Sequence, residues 1–221
     1  SGLVTSAITN LDIRAEWFFS SGDNFTVSLF YKDISDPIET IKEAGTDDNV
    51  SLTFVNGENA EYYGVEVEWF KDLSAFEGLV GSWINPFYFS GNFFLSDAEI
   101  TIGEVALDLT NNTRRPTQHS QWGANIQFGF DAPNNKHSAN MVYNVFGERL
   151  FFAERFGAPD GFEQPFHSLD VVYTWFPTDR VEAKFRVQNI LDDNIEITQG
   201  GVSTIEQTLG RTGRIDISWN F

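Results

Sequence analysis

Apolar and polar side chains alternate with a period of two along most of this chain, the repeat of β-strands that have one apolar and one polar face. From Asn10 to Phe19, the positions Leu11, Ile13, Ala15, Trp17 and Phe19 oppose Asp12, Arg14, Glu16 and Phe18. The turn residues SSGDN follow, and Phe25, Val27, Leu29 and Tyr31 lead back with Thr26, Ser28 and Phe30 on the other side, which predicts a hairpin. A third strand is expected over 61–70 and a fourth from about Leu79 to Leu95, where Pro86 marks a bulge or an earlier break. Alternation resumes over 122–130, 139–145, 169–175 and 181–187. In the last stretch, Gly213, Ile215, Ile217, Trp219 and Phe221 oppose Thr212, Arg214, Asp216, Ser218 and Asn220.

The links between these strands carry as much information as the strands. Tight turns (SSGDN, KDLSAFEG, DAPNNK, PTD) take turns with long connections near 35–57, 96–118, 147–165 and 191–208; within the first of these, SLTFV extends the hairpin. Such sorting, short links at one end and long ones at the other, is the asymmetry of an outer-membrane barrel with short periplasmic turns and long external loops. Trp17 with Phe19, Trp69 with Phe70, Phe128 with Phe130, Trp175 with Phe176 and Trp219 with Phe221 fall at the ends of strands running toward the short-turn side. From these pairs Trp17, Phe19, Trp69, Phe128, Phe130, Trp175, Trp219 and Phe221 are expected to form the aromatic girdle of a membrane-spanning sheet. The fold expected is therefore all-β, an antiparallel transmembrane barrel segment of about 9–10 strands. A closed bacterial barrel has an even strand number, and one of about 22 strands needs more than twice this length. The chain is thus expected to be a barrel fragment with open edges prone to edge-to-edge self-association.

Composition narrows the partners. A net charge of −18 with no stripe of basic residues opposes binding to phosphate backbones, so nucleic acid is excluded as the main partner. No stretch approaches the roughly 18 uninterrupted apolar residues of a membrane helix, while 22 phenylalanines and an alternating pattern suit a membrane β-sheet. The chain has no cysteine, hence no thiol nucleophile or disulfide.

Several short motifs, in order along nearly the whole chain, resemble the C-terminal part of the barrel of TonB-dependent outer-membrane receptors. They are Thr9, Asn10, Leu11 and Asp12 opening a strand; Phe30, Tyr31, Lys32, Asp33 and Ile34 ending the next; and Ala60, Tyr63, Gly64, Val65 and Glu66 in a pattern A-x-x-YGVE. Asn189, Ile190, Leu191 and Asp192 are similar to the family's N-(I/L)-(L/F)-D, and Gly210, Arg211 and Thr212 with Phe221 to its closing strand. Gly213 departs from the pattern, standing where the family often has an aromatic. The resemblance implies a plugged barrel in the Gram-negative outer membrane that imports scarce nutrients (siderophore, vitamin, carbohydrate or similar), driven by the TonB complex. It also implies contact with outer-membrane lipid and lipopolysaccharide, and reading of Phe221 by the barrel-assembly machinery. Residues 1–221 would be the C-terminal portion of the barrel, without the plug through which TonB acts.

Ligand contacts are expected from the external loops. The segment GERLFFAERFGAPDGF combines Arg149 and Arg155 with Phe151, Phe152 and Phe156, cations and stacking faces suited to anionic or catechol-like groups. Arg114 and Arg115 form a second basic pair, facing ligand or lipopolysaccharide phosphate. The acidic runs Asp47, Asp48, Asn49 and Asp192, Asp193, Asn194, Glu196 are read as solvated turns, because they lack the full ligand spacing of a calcium loop. No metal site, cofactor or catalytic residue is expected. His119, His137 and His167 lack zinc spacing, and Ser120 or Ser138 beside His119 or His137 makes a poor hydrolase pair, since adjacent strand residues point to opposite faces. A passive porin or structural barrel and a soluble sugar-binding β-sandwich are the alternatives.

Overall fold

The computed structural model describes residues 2–19, 22–42, 52–106 and 108–220. Its strands are β1 Ala7–Phe18, β2 Asn24–Ser35, β3 Ile38–Lys42, β4 Leu52–Asn56, β5 Asn59–Asp72, β6 Phe87–Thr101, β7 Thr113–Arg114 and β8 Trp122–Asp131. They continue with β9 His137–Phe146, β10 Arg149–Phe152, β11 Gly161–Glu163, β12 His167–Thr178, β13 Val181–Gln188, β14 Asn194–Gln199, β15 Val202–Thr208 and β16 Thr212–Trp219. One antiparallel wall runs in the order β1-β2-β5-β6-β8-β9-β12-β13-β16, with β7 laid on β6. Each wall strand pairs with its neighbour along the chain, the meander expected of an up-and-down barrel segment.

Register turns the period-two pattern into two faces of opposite chemistry. Trp17 lies across from Phe25, Phe25 from Trp69, and Trp69 from Gly91. Further along, Phe89 lies across from Phe128, Phe128 from Met141, Met141 from Val171, and Val171 from Val187. These rows are apolar and lie on the outward face. Its large side chains stay uncovered, with Ile217 74% and Trp219 67% exposed. A contiguous apolar surface of this extent marks a contact face and not a water-facing one. Seven of the eight aromatics expected in the girdle stand on this outward parity; Phe221 lies outside the described residues.

The opposite face is polar and cross-linked. Arg14 donates to both oxygens of Glu68 (3.2 and 3.0 Å), and Asn125 donates to Asn92 at 2.7 Å. Tyr88 and Gln127 both donate to Asn140, at 2.7 and 2.6 Å. Aromatic rings on this face lie over glycines of the neighbouring strand: a Cβ on Gly129 would sit 2.0 Å from the Tyr88 ring, and one on Gly123 2.4 Å from that of Phe94. Phe70 and Phe176 belong to this inward face, Phe70 stacking on Tyr88 with ring centroids 5.5 Å apart. Of the expected aromatic pairs at the strand ends, only Trp69 and Trp175 of those two pairs therefore face outward, because adjacent strand residues alternate sides.

Two expectations change at the short-turn end. The fourth strand begins at Phe87 and not at Leu79, since Pro86 supplies no N–H to a ladder. Trp83 instead sits in a helical turn, and the β5–β6 link, 73–86, is much longer than the turns 132–136 and 179–180 at the same end.

At the other end the long connections are largely folded. Leu52–Asn56 pairs with β3 in a two-stranded sheet of its own and does not extend the β1–β2 hairpin, Ser51 lying outside the described residues, and β10-β11-β14-β15 form a further sheet. The main buried cluster lies between these loop strands and the wall: Ile41, Ala60, Ile100, Ile102, Leu109 and Ala153, flanked by Ile34, Val55 and Tyr62. Asn189 ties the last long connection to the wall. It adopts a left-handed φ of 52° that Asn tolerates, and its side-chain amide donates to the carbonyls of Asp193 (3.0 Å) and Gly210 (3.1 Å).

Candidate functional site

A cavity of about 260 Å³ opens on the inward face at the long-loop end, lined by Phe30, Lys32, Tyr62, Glu66, Phe94, Ser96 and His119. Its floor follows from strand parity: β2 supplies Phe30 and Lys32, β5 Tyr62 and Glu66, β6 Phe94 and Ser96, all even-numbered and all inward. Gly64 permits this crowding, because a Cβ there would meet the Phe30 ring at 2.7 Å and the Leu95 carbonyl at 2.4 Å. His119 enters from the connection above. Its Nε2 is 2.9 Å from Ser96 Oγ, and its ring meets that of Tyr62 edge-on with centroids 5.6 Å apart.

Burial pushes the His119 pKa down, the Arg115 guanidinium pushes it further, and Asp97 opposes both more weakly. The imidazole is thereby held neutral at pH 7. Its Nδ1 is buried without a hydrogen-bond partner among the described residues. Among the described residues no carboxylate orients that nitrogen, and the Ser96–His119 contact has no third member of a hydrolytic triad there. What the site offers is three aromatic faces, a neutral imidazole, a hydroxyl, one ammonium and one carboxylate. That set suits binding of a small aromatic or anionic molecule by stacking and hydrogen bonding.

The loop residues expected from sequence lie outside the lining of this cavity. Arg149 donates to both oxygens of Glu163 (2.7 and 2.9 Å), with its guanidinium 4.1 Å from the centroid of the Phe146 ring. Arg155 donates to Asp108 at 2.5 Å. Arg114 pairs with Glu39 at 3.4 Å with both side chains 5% exposed, and Glu39 also accepts from the Thr117 N–H at 3.2 Å. Arg115 donates to the Glu148 carbonyl at 3.4 Å. Each of the four arginines thus faces an acceptor of the same chain. Phe151 and Phe152 meet edge-on at 6.0 Å, Phe152 covers Gly161, and Phe156 stands 77% exposed at a φ of 56°. Arg115 also lies 4.0 Å from the Glu148 carboxylate, and the Arg114 guanidinium donates to the Arg115 carbonyl at 3.0 Å.

Ser120 does not join His119: it donates to the carbonyls of Trp122 (2.7 Å) and Gly147 (2.9 Å). His137 and His167 lie on the outward face, 2.7 and 2.6 Å from the hydroxyls of Tyr173 and Tyr143. Asp193 accepts from the N–H groups of His167 and Asn194, and Asp192 lies 3.8 Å from Arg211; Asp47, Asp48 and Asn49 fall outside the described residues. Lys32, Tyr62, Ser96 and His119 were not singled out as a group from sequence. The usable signal was the shared inward parity of Lys32, Tyr62 and Ser96 near the long-loop ends of three adjacent strands.

No protein of curated function matches the chain by sequence. Solved structures match by shape. The copper transporter OprC is similar over 100% of this chain and 32% of its own, with a TM-score of 0.70 at 15% identity. The ferric yersiniabactin uptake receptor FyuA from Yersinia pestis gives 98% and 30% coverage, a TM-score of 0.65 and 16% identity. The pyoverdine outer membrane receptor FpvA from Pseudomonas aeruginosa, bound to pyoverdine, gives 99% and 30%, 0.61 and 13%. At these identities the likeness establishes the fold, and the chain spans about a third of the length of each of them. Residues 8–190 match the family model for the TonB dependent receptor-like beta-barrel, over most of the wall and its loops, and the chain belongs to that family.

Proposed function

We propose that this chain is a barrel segment of an outer-membrane active transport receptor that captures a scarce small molecule at its external face and imports it with energy coupled through TonB. The observation that carries this reading is the placement of the cavity. It opens on the polar inward face at the long-loop end, where a ligand caught by the loops would enter the lumen. The apolar outward face meets outer-membrane lipid, and the long loops meet lipopolysaccharide.

Ligand contact is assigned to Lys32, Tyr62 and His119 in the cavity, and to Phe151 and Phe156 among the loop residues. Arg114, Arg115, Arg149 and Arg155, with Phe152, hold the loops in the shape that presents those rings. Siderophores fit the site by chemistry, since catechol or aromatic hydroxamate groups stack on Tyr62 and pair with Lys32; vitamins and sugars are the competing cargo. Growth of a deletion strain on single iron, copper, vitamin or sugar sources, complemented by the full-length receptor or its Tyr62→Ala/His119→Ala variant, tests this. Restored growth on one source with the native protein only is expected. Equal uptake with TonB deleted would replace the reading with a passive porin.

A further inference from the structure

The β5–β6 link differs in kind from its neighbours at the short-turn end. The turns 132–136 and 179–180 are polar, whereas Leu73–Pro86 holds a single charged side chain, Glu77. It folds into three short helical turns: Leu73–Phe76, α1 Glu77–Val80 and Ser82–Ile84. Its polar groups are largely met from within. Asp72 accepts from the Ser74 N–H at 2.7 Å, Gly81 donates to the Glu77 carbonyl at 2.7 Å, and Asn85 donates to the Glu77 carboxylate at 2.9 Å. The Trp83 indole donates to the Val80 carbonyl at 2.6 Å. What is left uncovered is apolar: Leu79 is 87% and Trp83 64% exposed, with Phe76 and Val80 near half.

Two contacts fix the direction in which this apolar surface faces. Trp83 packs edge-on against Phe87 at 6.1 Å, and Phe87 lies in the outward row with Phe128 and Phe130, ring centroids 5.5 and 5.0 Å away. Lys71, also of outward parity, pairs its ammonium with the Asp23 carboxylate and holds it 5.7 Å from the centroid of the Phe76 ring. Both flanks of the helical link are therefore tied to the outward side of the wall, next to its apolar rows. A tryptophan and a lysine bracketing such a surface are the residues that settle at a membrane–water boundary.

We infer that residues 73–84 form an interfacial anchor lying in the periplasmic leaflet of the outer membrane, with Phe76, Leu79, Val80 and Trp83 among phospholipid acyl chains and Glu77 and the Lys71–Asp23 pair at headgroup level. The anchor sets the depth at which the wall rides in the bilayer. This rests on the reading of the wall as membrane-spanning.

The test is site-directed spin labelling of the full-length receptor, freed of other cysteines and reconstituted in phosphatidylethanolamine–phosphatidylglycerol vesicles. Leu79→Cys is compared with Leu29→Cys, in the middle of an outward strand, and with Asn134→Cys, in a polar turn; this chain has no cysteine of its own. The expected result is that oxygen relaxes the labels at 79 and 29 while a water-soluble nickel complex does not, and that nickel relaxes the label at 134. Nickel relaxation at 79 with protection at 29 overturns the anchor and leaves the barrel standing. Protection at 79 from both reagents means a protein partner covers the link, and equally overturns it. Nickel relaxation at both 79 and 29 sinks the membrane reading itself.

Discussion

Tyr88 lies flat over Gly129 because nothing larger fits beneath it, and its hydroxyl reaches Asn140 only from that position. A methyl group at 129 would displace the ring and break the hydrogen bond. Gly129→Ala is therefore expected to destabilise the folded wall by about 1–3 kcal/mol. Gly213→Ala, where a Cβ meets nothing within 4 Å, should change stability little. Urea midpoints of the receptor refolded in vesicles check both. His119 gives a second prediction at this scale. Its folded pKa lies below that of a free imidazole, about 6.5, so the folded chain binds fewer protons than the unfolded one between the two values. The stabilising contribution is full above the free value and is lost as pH falls through the folded pKa. Acidification from pH 7 to about 5 should lower the urea midpoint of the native protein more than that of His119→Gln.

At the scale of elements, the long connections act as a packed layer and not as free loops. Ile41 from the β3–β4 hairpin, Leu109 from the link after β6 and Ala153 from the third long connection share one cluster with Ala60 and Ile100 of the wall. Beside it, the buried Glu39–Arg114 pair joins β3 to β7, and Glu39 also holds the Thr117 N–H. Removing one partner strands the other charge away from water, a cost of about 3–5 kcal/mol for buried pairs. That cost falls on the loop layer, because neither residue stands in the wall's own ladder apart from the short β7 contact. Glu39→Ala should then be cut in its external loops by protease added to intact cells. Its wall should keep the native protein's resistance to unfolding in SDS.

For the whole molecule, the dominant fact is an inverted distribution of apolar surface. Its main buried cluster sits under the loops, while the largest rows of apolar side chains are uncovered on the wall, and among the described residues both β1 and β16 pair on one side only. The 221-residue chain expressed by itself should be rich in β-structure only with detergent and should associate through its edges. Circular dichroism with light scattering, with and without detergent, checks this. A compact detergent-free monomer would contradict it.

The amino-acid sequence by itself determined the wall: nine strands, their order, their two faces and the side on which the short turns lie. It could do so because strand periodicity is local, and in a meander each strand pairs with the next, so no distant contact is needed to set the register. The N-I-L-D stretch was legible only through its resemblance to the family, and in the fold Asn189 holds a carbonyl four residues away and another just before the last wall strand. Where a local signal carried two meanings, tertiary structure chose between them. Pro86 allowed a bulge or a break, and the helical link packed against Phe87 made it a break. The ion pairs of the loop arginines were out of reach, since Glu163, Asp108 and Glu39 stand 14, 47 and 75 residues away from Arg149, Arg155 and Arg114. The cavity around Ser96 and His119 was equally out of reach. It needs three strands to stack in register and a 23-residue separation to close, and no period in the sequence encodes that closure.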